Sequence, residues 1–265
     1  MQSESLDDNT RTDLWNFVFK IRQTMRSRSS LTRYAGELTE GLWANHFRRS
    51  LSNYTEPGTW TVIQQTIADG TWVEVLSMIE SMVKTMRKVD STLNMEIGTS
   101  VRDSFNRQFE IDMIGYRFVE NELVRVSAEV EVEAIEAALA NTADLSGAQT
   151  HLMTALTLLS VQGGRQFAKS LAESVSAVEA IVRHLTGAAT LGAGVKLLQA
   201  KGVEVHPALV DGWSKFYGYA SDENGVRHGS IEESKIDEPL ATYFLVTCSA
   251  FVNLLIKLSV EKPSE

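Results

Sequence analysis

Between Lys215 and Gly229 the chain gathers Tyr217, Tyr219, Asp222, Glu223, Arg227 and His228 among permissive glycines, and no other stretch concentrates titratable and aromatic residues in this way. An imidazole that titrates near neutral pH beside a fixed guanidinium suits phosphodiester chemistry. The histidine moves a proton and the arginine stabilises charge developing on phosphate. Gly225 and Gly229 flank the Arg227-His228 pair and allow a non-helical turn in which both side chains reach one site. The same residues also fit a polar turn with a structural Arg and His, and spacing alone leaves both readings open. The other adjacent pair, Arg183-His184, lies inside a regular helical pattern. Neighbours on a helix diverge by about 100°, so that pair reads as structural.

A chain of 265 residues with 43% apolar composition has enough length and hydrophobicity for one large or two ordinary cored domains. The single cysteine, Cys248, can neither close an intrachain disulfide nor share a metal with a second cysteine, and its apolar surroundings predict a small buried residue. The polar, acidic N-terminus lacks the apolar segment of a secretory signal, so cytoplasmic residence is the expectation. Leu240 to Leu258 is long enough to suggest a membrane span, but Thr242, Tyr243, Thr247, Ser249, Asn253 and Lys257 interrupt it, and a helix buried in a bundle with no membrane contact is predicted. A formal charge of −9 argues against a dedicated nucleic-acid scaffold while leaving room for a small basic groove. Residues 148–265 hold 10 cations and 12 acids, so most of the acidity precedes the segment that carries Arg227 and His228.

The elements that must position these residues follow from periodicity. Leu14, Phe17, Val18 and Ile21 recur at helical spacing, preceded by acids suited to a helix N-terminus. Arg22, Arg26, Arg28 and Arg33 then form a basic stretch without acids, which fits either a phosphate contact or a solvated face. Leu38, Leu42, Trp43, His46 and Phe47 continue the helical series. Glu56 to Thr59 reads as a break, after which Trp60 resumes a helix ending near Gly70. From Trp72 to Met86 a methionine-rich stripe predicts a core-facing helix.

Alternation near 113–126, with a turn at Glu120 to Glu122, predicts a short β-hairpin. An acidic helix from Glu129 follows, and the polar break at 141–147 is the expected domain boundary. The second domain, 148–265, reads as an antiparallel helical bundle: a helix from His151 through Leu159, then one with Leu171, Val175, Val178, Val182 and Leu185 in a single stripe, closed by Gly187. Trp213, Phe216 and Tyr217 face inward on the next helix, with Arg227 and His228 just before the last.

Other chemistries find no motif. Gly192 and Gly194 lack the strand and remaining residues of a dinucleotide loop, and Gly163-Gly164 lacks the Lys and Ser/Thr of a phosphate loop. Histidines do not pair at metal-ligand spacing, so neither a metal nor a cofactor is expected.

The segments Glu173 to Ala180, Lys215 to His228 and Leu245 to Asn253 resemble the C-terminal HEPN-type domain of bacterial AbiJ-like abortive-infection proteins. Leu14 to Asn16, Ile114 to Val119 and His151-Leu152 resemble the N-terminal region found with it, so the resemblance covers nearly the whole chain. It implies a mainly α protein: an N-terminal helical domain over 1–147 with the hairpin, then a HEPN-like bundle. It also implies phage defence by metal-independent RNA cleavage or RNA binding, and a homodimer whose composite site contains Arg227 and His228. Asp222 or Glu223 would orient the imidazole, Tyr217 and Tyr219 would stack on a base or fill the core, and Glu173 would face the cleft or solvent. Ser170, Ser174 and Ala177 would permit close helix approach in the dimer, and the N-terminal domain would recognise a protein partner or target. The nuclease subgroup places Arg about one helical turn before His. Here Glu223 stands five residues before His228, which keeps open a catalytically silent domain that senses a nucleotide or binds a protein.

Overall fold

The computed structural model describes residues 2, 4–126, 128–162, 164–221 and 236–260. Among these the chain is mainly α-helical, with eleven α-helices and one antiparallel hairpin, as the periodicity predicts. It divides into two compact units, Met1–Ser127 and Ala128–Glu265.

In the first unit, Asp7 opens α1 (Asp8–Ser27) by accepting the Thr10 N–H at 2.8 Å. Helix α2 (Thr32–Gly41) runs into a single π-type turn, Leu42–His46. Glu56 to Thr59, read from sequence as a break, is instead the first turn of α3 (Glu56–Asp69): Thr55 caps it and Pro57 sits where a helix has no N–H bond to lose. A capping box between Thr71 and Glu74 starts α4 (Trp72–Leu93). The methionine stripe is core, as expected, with Met78, Met82 and Met86 fully buried. Burying a side chain of this size contributes about 1.5–3 kcal/mol.

Helix α5 (Ile97–Ile111) has no side-chain cap of its own. Buried Asp90 of α4 supplies one, accepting the N–H groups of Ile97 at 3.1 Å and Gly98 at 2.7 Å. A Cβ at position 98 would stand 2.8 Å from the Asp90 carboxylate, which explains the glycine. The Tyr34 hydroxyl donates to Asp90 at 3.0 Å, and burial together with that carboxylate pushes the Tyr34 phenol up.

The hairpin pairs β1 (Arg117–Val119) with β2 (Glu122–Val124) and is shorter than its alternating pattern; Glu122 lies in the strand opposite Val119 rather than in the turn. Phe118 of β1 joins Phe105 and Phe109 of α5 in a ring cluster. On the α4 side, fully buried Glu80 accepts the Leu123 N–H at 3.1 Å, and Lys84 lies 3.1 Å from Glu80 and 2.8 Å from Glu122.

The second unit comprises α6 (Glu129–Asn141), α7 (Ser146–Leu159), α8 (Phe167–Thr186), α9 (Leu191–Leu197), α10 (Pro207–Ser221) and α11 (Glu238–Val260). The sequence expectation divided the chain at 147/148, and the difference is α6. This helix packs along α11, where the Asn253 amide donates to the Ala134 carbonyl at 2.9 Å and accepts from Asn141 at 2.9 Å. Segment 142–145 is then a turn within the unit.

Contacts between Ala155 and Ser170 and between His151 and Glu173 make α7 and α8 antiparallel. Arg165, just before α8, bonds Glu238 at the start of α11 at 2.8 Å, so those two helices begin at the same end. Gly187 closes α8 in the left-handed region at φ 75°, as the pattern predicts. Helix α11 is apolar and long enough to cross a membrane, yet Phe244, Leu245, Cys248, Val252 and Leu255 are buried, and it packs on α6, α7 and α8.

Ser170, Ser174 and Ala177, expected from sequence to face a second copy, are fully buried within the chain. The Ser170 hydroxyl donates to the Ala155 carbonyl at 2.7 Å, so the small residues serve the α7–α8 approach.

Candidate functional site

Of the residues singled out from sequence, Asp222, Glu223, Arg227 and His228 lie outside the described residues. The helix that leads to them is α10. Its rings interleave with α11: Trp213 stacks on Phe251 at a centroid distance of 3.9 Å, Phe216 on Phe244 at 4.1 Å, and Tyr219 on Phe244 at 5.8 Å. This order makes α10 antiparallel to α11. Tyr217 is half-buried, whereas Tyr219 is 53% exposed. Tyr219 thus offers a ring to solvent two residues before the end of α10.

Glu173, the remaining sequence candidate, has a partner that sequence reasoning missed. Its Oε2 lies 2.6 Å from Nδ1 of His151 across the α7–α8 seam, with the two side chains 32% and 39% exposed. A carboxylate oxygen accepts, so Nδ1 donates across this contact and the ring is held with Nε2 on its far side. An imidazole oriented by a carboxylate in this way can take and return a proton. The signal was present in the numbering. Positions 151 and 173 are symmetric about residue 162, and 155 and 170 are within half a position of it, at the fold point of the α7–α8 hairpin.

The arginines at the two ends of α8 are structural. Arg183 donates to Glu179 at 3.3 Å on its own helix and to the Ala189 carbonyl at 3.1 Å, and His184 is exposed one residue on. Arg165 is held between Glu238 and the Phe167 ring, 5.3 Å from its guanidinium, and pins the base of α8 to that of α11.

The first unit contains a separate groove of about 700 Å³ between the π-type turn and α3 and α4, lined by His46, Arg49, Gln65, Asp69 and Glu74 among others. Burial pushes the His46 imidazole below its ordinary range, which favours the uncharged ring. Arg49 lies over the Trp43 ring at 5.1 Å. Such a lining suits a polar ligand or peptide held by hydrogen bonds. The sequence showed His46 only as one member of a helical series, because the groove depends on the π-type turn.

Residues 1–141 match the family model described as AbiJ N-terminal domain 4, a span that covers the whole first unit and α6 of the second. No curated protein and no solved structure matches the chain. A match over more than half of the sequence, ending where α6 ends, shows that this chain belongs to the AbiJ N-terminal domain 4 family.

Proposed function

We propose that the protein is an abortive-infection effector in which the AbiJ-type N-terminal region controls a C-terminal, HEPN-type helical unit that acts on RNA without a metal. The match of residues 1–141 carries the defence assignment. The acid–base reading of the second unit is supported by the carboxylate-held imidazole of His151, by the exposed Tyr219 ring, and by Arg227 and His228 in the segment that follows.

In this reading His228 takes the proton of an RNA 2′-hydroxyl as that oxygen attacks the adjacent phosphorus. Arg227 stabilises the charge on the equatorial oxygens, and the departing 5′-oxygen takes a proton from water while His228 returns its own to solvent, giving a 2′,3′-cyclic phosphate and a 5′-hydroxyl. Tyr219 stacks on a base beside the scissile bond. The active form is a homodimer that brings two such sites together. The N-terminal region supplies target or partner recognition.

One sequence observation favours a second reading. Glu223, rather than an arginine, stands five residues before His228. In that reading the unit binds RNA or a nucleotide without turnover and works as a sensing or interaction module. Arg227→Ala then weakens binding by about 1–3 kcal/mol, the scale of a lost charge-assisted contact.

Phage challenge tests the defence assignment. A bacterial host expressing the wild-type chain is expected to plate phage less efficiently than the empty host and to lose viability on infection, with both effects removed in His228→Ala and weakened in Glu173→Gln. Plating unchanged by the wild-type protein against a broad phage set contradicts the assignment.

A further inference from the structure

We propose that the exposed face of α1 is a docking surface for single-stranded RNA, separate from the site on the C-terminal unit. The proposal rests on the RNA-acting reading above for the identity of its ligand, and on α1 itself for the surface.

Residues 14–36 hold Lys20, Arg22, Arg26, Arg28 and Arg33 and no acid, in a chain whose formal charge is −9. Arg33 is neutralised by Glu37 at 2.8 Å. Arg22, Arg26 and Arg28 have no ion-pair partner among the described residues. An acidic protein that leaves three neighbouring guanidinium groups unpaired maintains a local cationic field suited to a polyanion.

The geometry adds bases to phosphates. At 100° per residue, Trp15, Phe19, Arg22 and Arg26 fall on one side of α1, beside the buried line of Leu14, Val18 and Met25. Trp15 and Phe19 touch with ring centroids 5.9 Å apart, and Phe19 remains 38% exposed. Next to them a concavity of about 410 Å³ is lined by Phe19, Arg22, Gln23, Arg26 and Ser27.

Arg22 is pre-positioned for this role. Its guanidinium lies 5.6 Å from the centre of the Trp60 ring, and that ring is fixed by the indole N–H bond to Glu56 at 3.2 Å. The Arg22 Nε is shielded from solvent and has no hydrogen-bond partner. A buried orphan donor on a cation is costly, so a ligand that draws the Arg22 side chain outward onto a phosphate relieves that cost. A ring pair with Phe19 open to solvent beside unpaired arginines is the combination that holds single strands, with bases on the rings and phosphates on the cations. A phosphopeptide or an anionic membrane would use the arginines and leave Phe19 without a stacking partner.

The test uses the full chain carrying His228→Ala, so that RNA stays intact, and a fluorescent unstructured 12-nucleotide RNA followed by anisotropy across a salt series. Three phosphate contacts give log K against log salt a slope of about −2. Arg22→Ala with Arg26→Ala is expected to raise Kd about tenfold or more and to flatten the slope by about 1.4. Phe19→Ala is expected to raise Kd about fivefold or more at unchanged slope. Arg26→Glu, at an exposed position, is expected to give the same direction of loss, and circular dichroism checks that each variant is folded.

Binding unaffected by all of these substitutions overturns the proposal. So does a Phe19→Ala protein that binds like its parent, which would make the face a plain polyanion patch, or a preference for anionic vesicles or a phosphorylated peptide over RNA. The two readings fail separately. Cleavage absent from otherwise wild-type protein, with α1-dependent binding intact, removes the catalytic reading alone. Cleavage present with α1-independent binding removes this one alone.

Discussion

Replacing Glu80 with glutamine keeps the shape and the acceptor for the Leu123 N–H but removes a carboxylate that is fully buried between α4 and the hairpin. Burial raises the Glu80 carboxyl from its ordinary value near 4.5 to about 7, against the opposing pull of Lys84 and the Leu123 N–H. Because the folded pKa lies above the unfolded one, the folded state holds the proton more tightly between those values. The associated stability is fully present below about pH 4.5 and is lost as pH rises through 7. With 1.36 kcal/mol per pKa unit, the wild type loses about 2 kcal/mol of unfolding free energy from this group between pH 5.5 and 8.5.

Glu80→Gln does not titrate, so its stability relative to wild type should improve by about that amount over the interval. Lys84 keeps Glu122 at 2.8 Å in the variant, which limits the loss on the other side of the ledger. Urea melts at the two pH values, with hydrogen exchange of the Leu123 amide as a local readout, provide the assay. A wild-type-minus-variant difference independent of pH, or one that moves in the wild type's favour at pH 8.5, refutes the burial argument.

Three further outcomes are expected. Gly194→Ala should destabilise the second unit by about 1–3 kcal/mol in denaturant melts, because an added Cβ overlaps Val182 Cγ1 and crowds Thr186, both on α8. Cys248 is fully buried and burial pushes its thiol up, so it should react with a disulfide reagent only at the rate of unfolding, and a fast reaction in native buffer would contradict its placement inside α11. Sedimentation across micromolar concentrations should show a reversible dimer, and a monomer throughout would remove the composite-site model.

Helical periodicity was easy to read because most helices bury one stripe, as with Leu171, Val175, Val178 and Val182 on α8 and the Leu76 to Met86 series on α4. What escaped the sequence depends on partners distant along the chain. The packing of α6 on α11 rests on Asn253, more than 100 positions later. Pro57 looked like a breaker because proline both ends and begins helices, and only Thr55 as cap distinguishes the two. The small residues of α8 resemble an intermolecular seam as much as the intramolecular one they form, since both demand close backbone approach. At the site, Glu173 was visible as a candidate but His151 was not, because their pairing requires the fold point near residue 162. Glu80 and Lys84 stand one turn apart on α4, and nothing in that spacing announces Glu122, which the hairpin brings to Lys84.

On our proposal, the C-terminal unit cleaves RNA through His228 without a metal. Incubating the purified full chain with total RNA in the presence of EDTA, beside His228→Ala, tests it most directly. The account expects fragments bearing 2′,3′-cyclic phosphate ends from the wild type and a rate about 10²-fold lower or less from the variant, with RNA affinity nearly unchanged. RNA left intact by the wild type, or cut equally by both proteins, would contradict it.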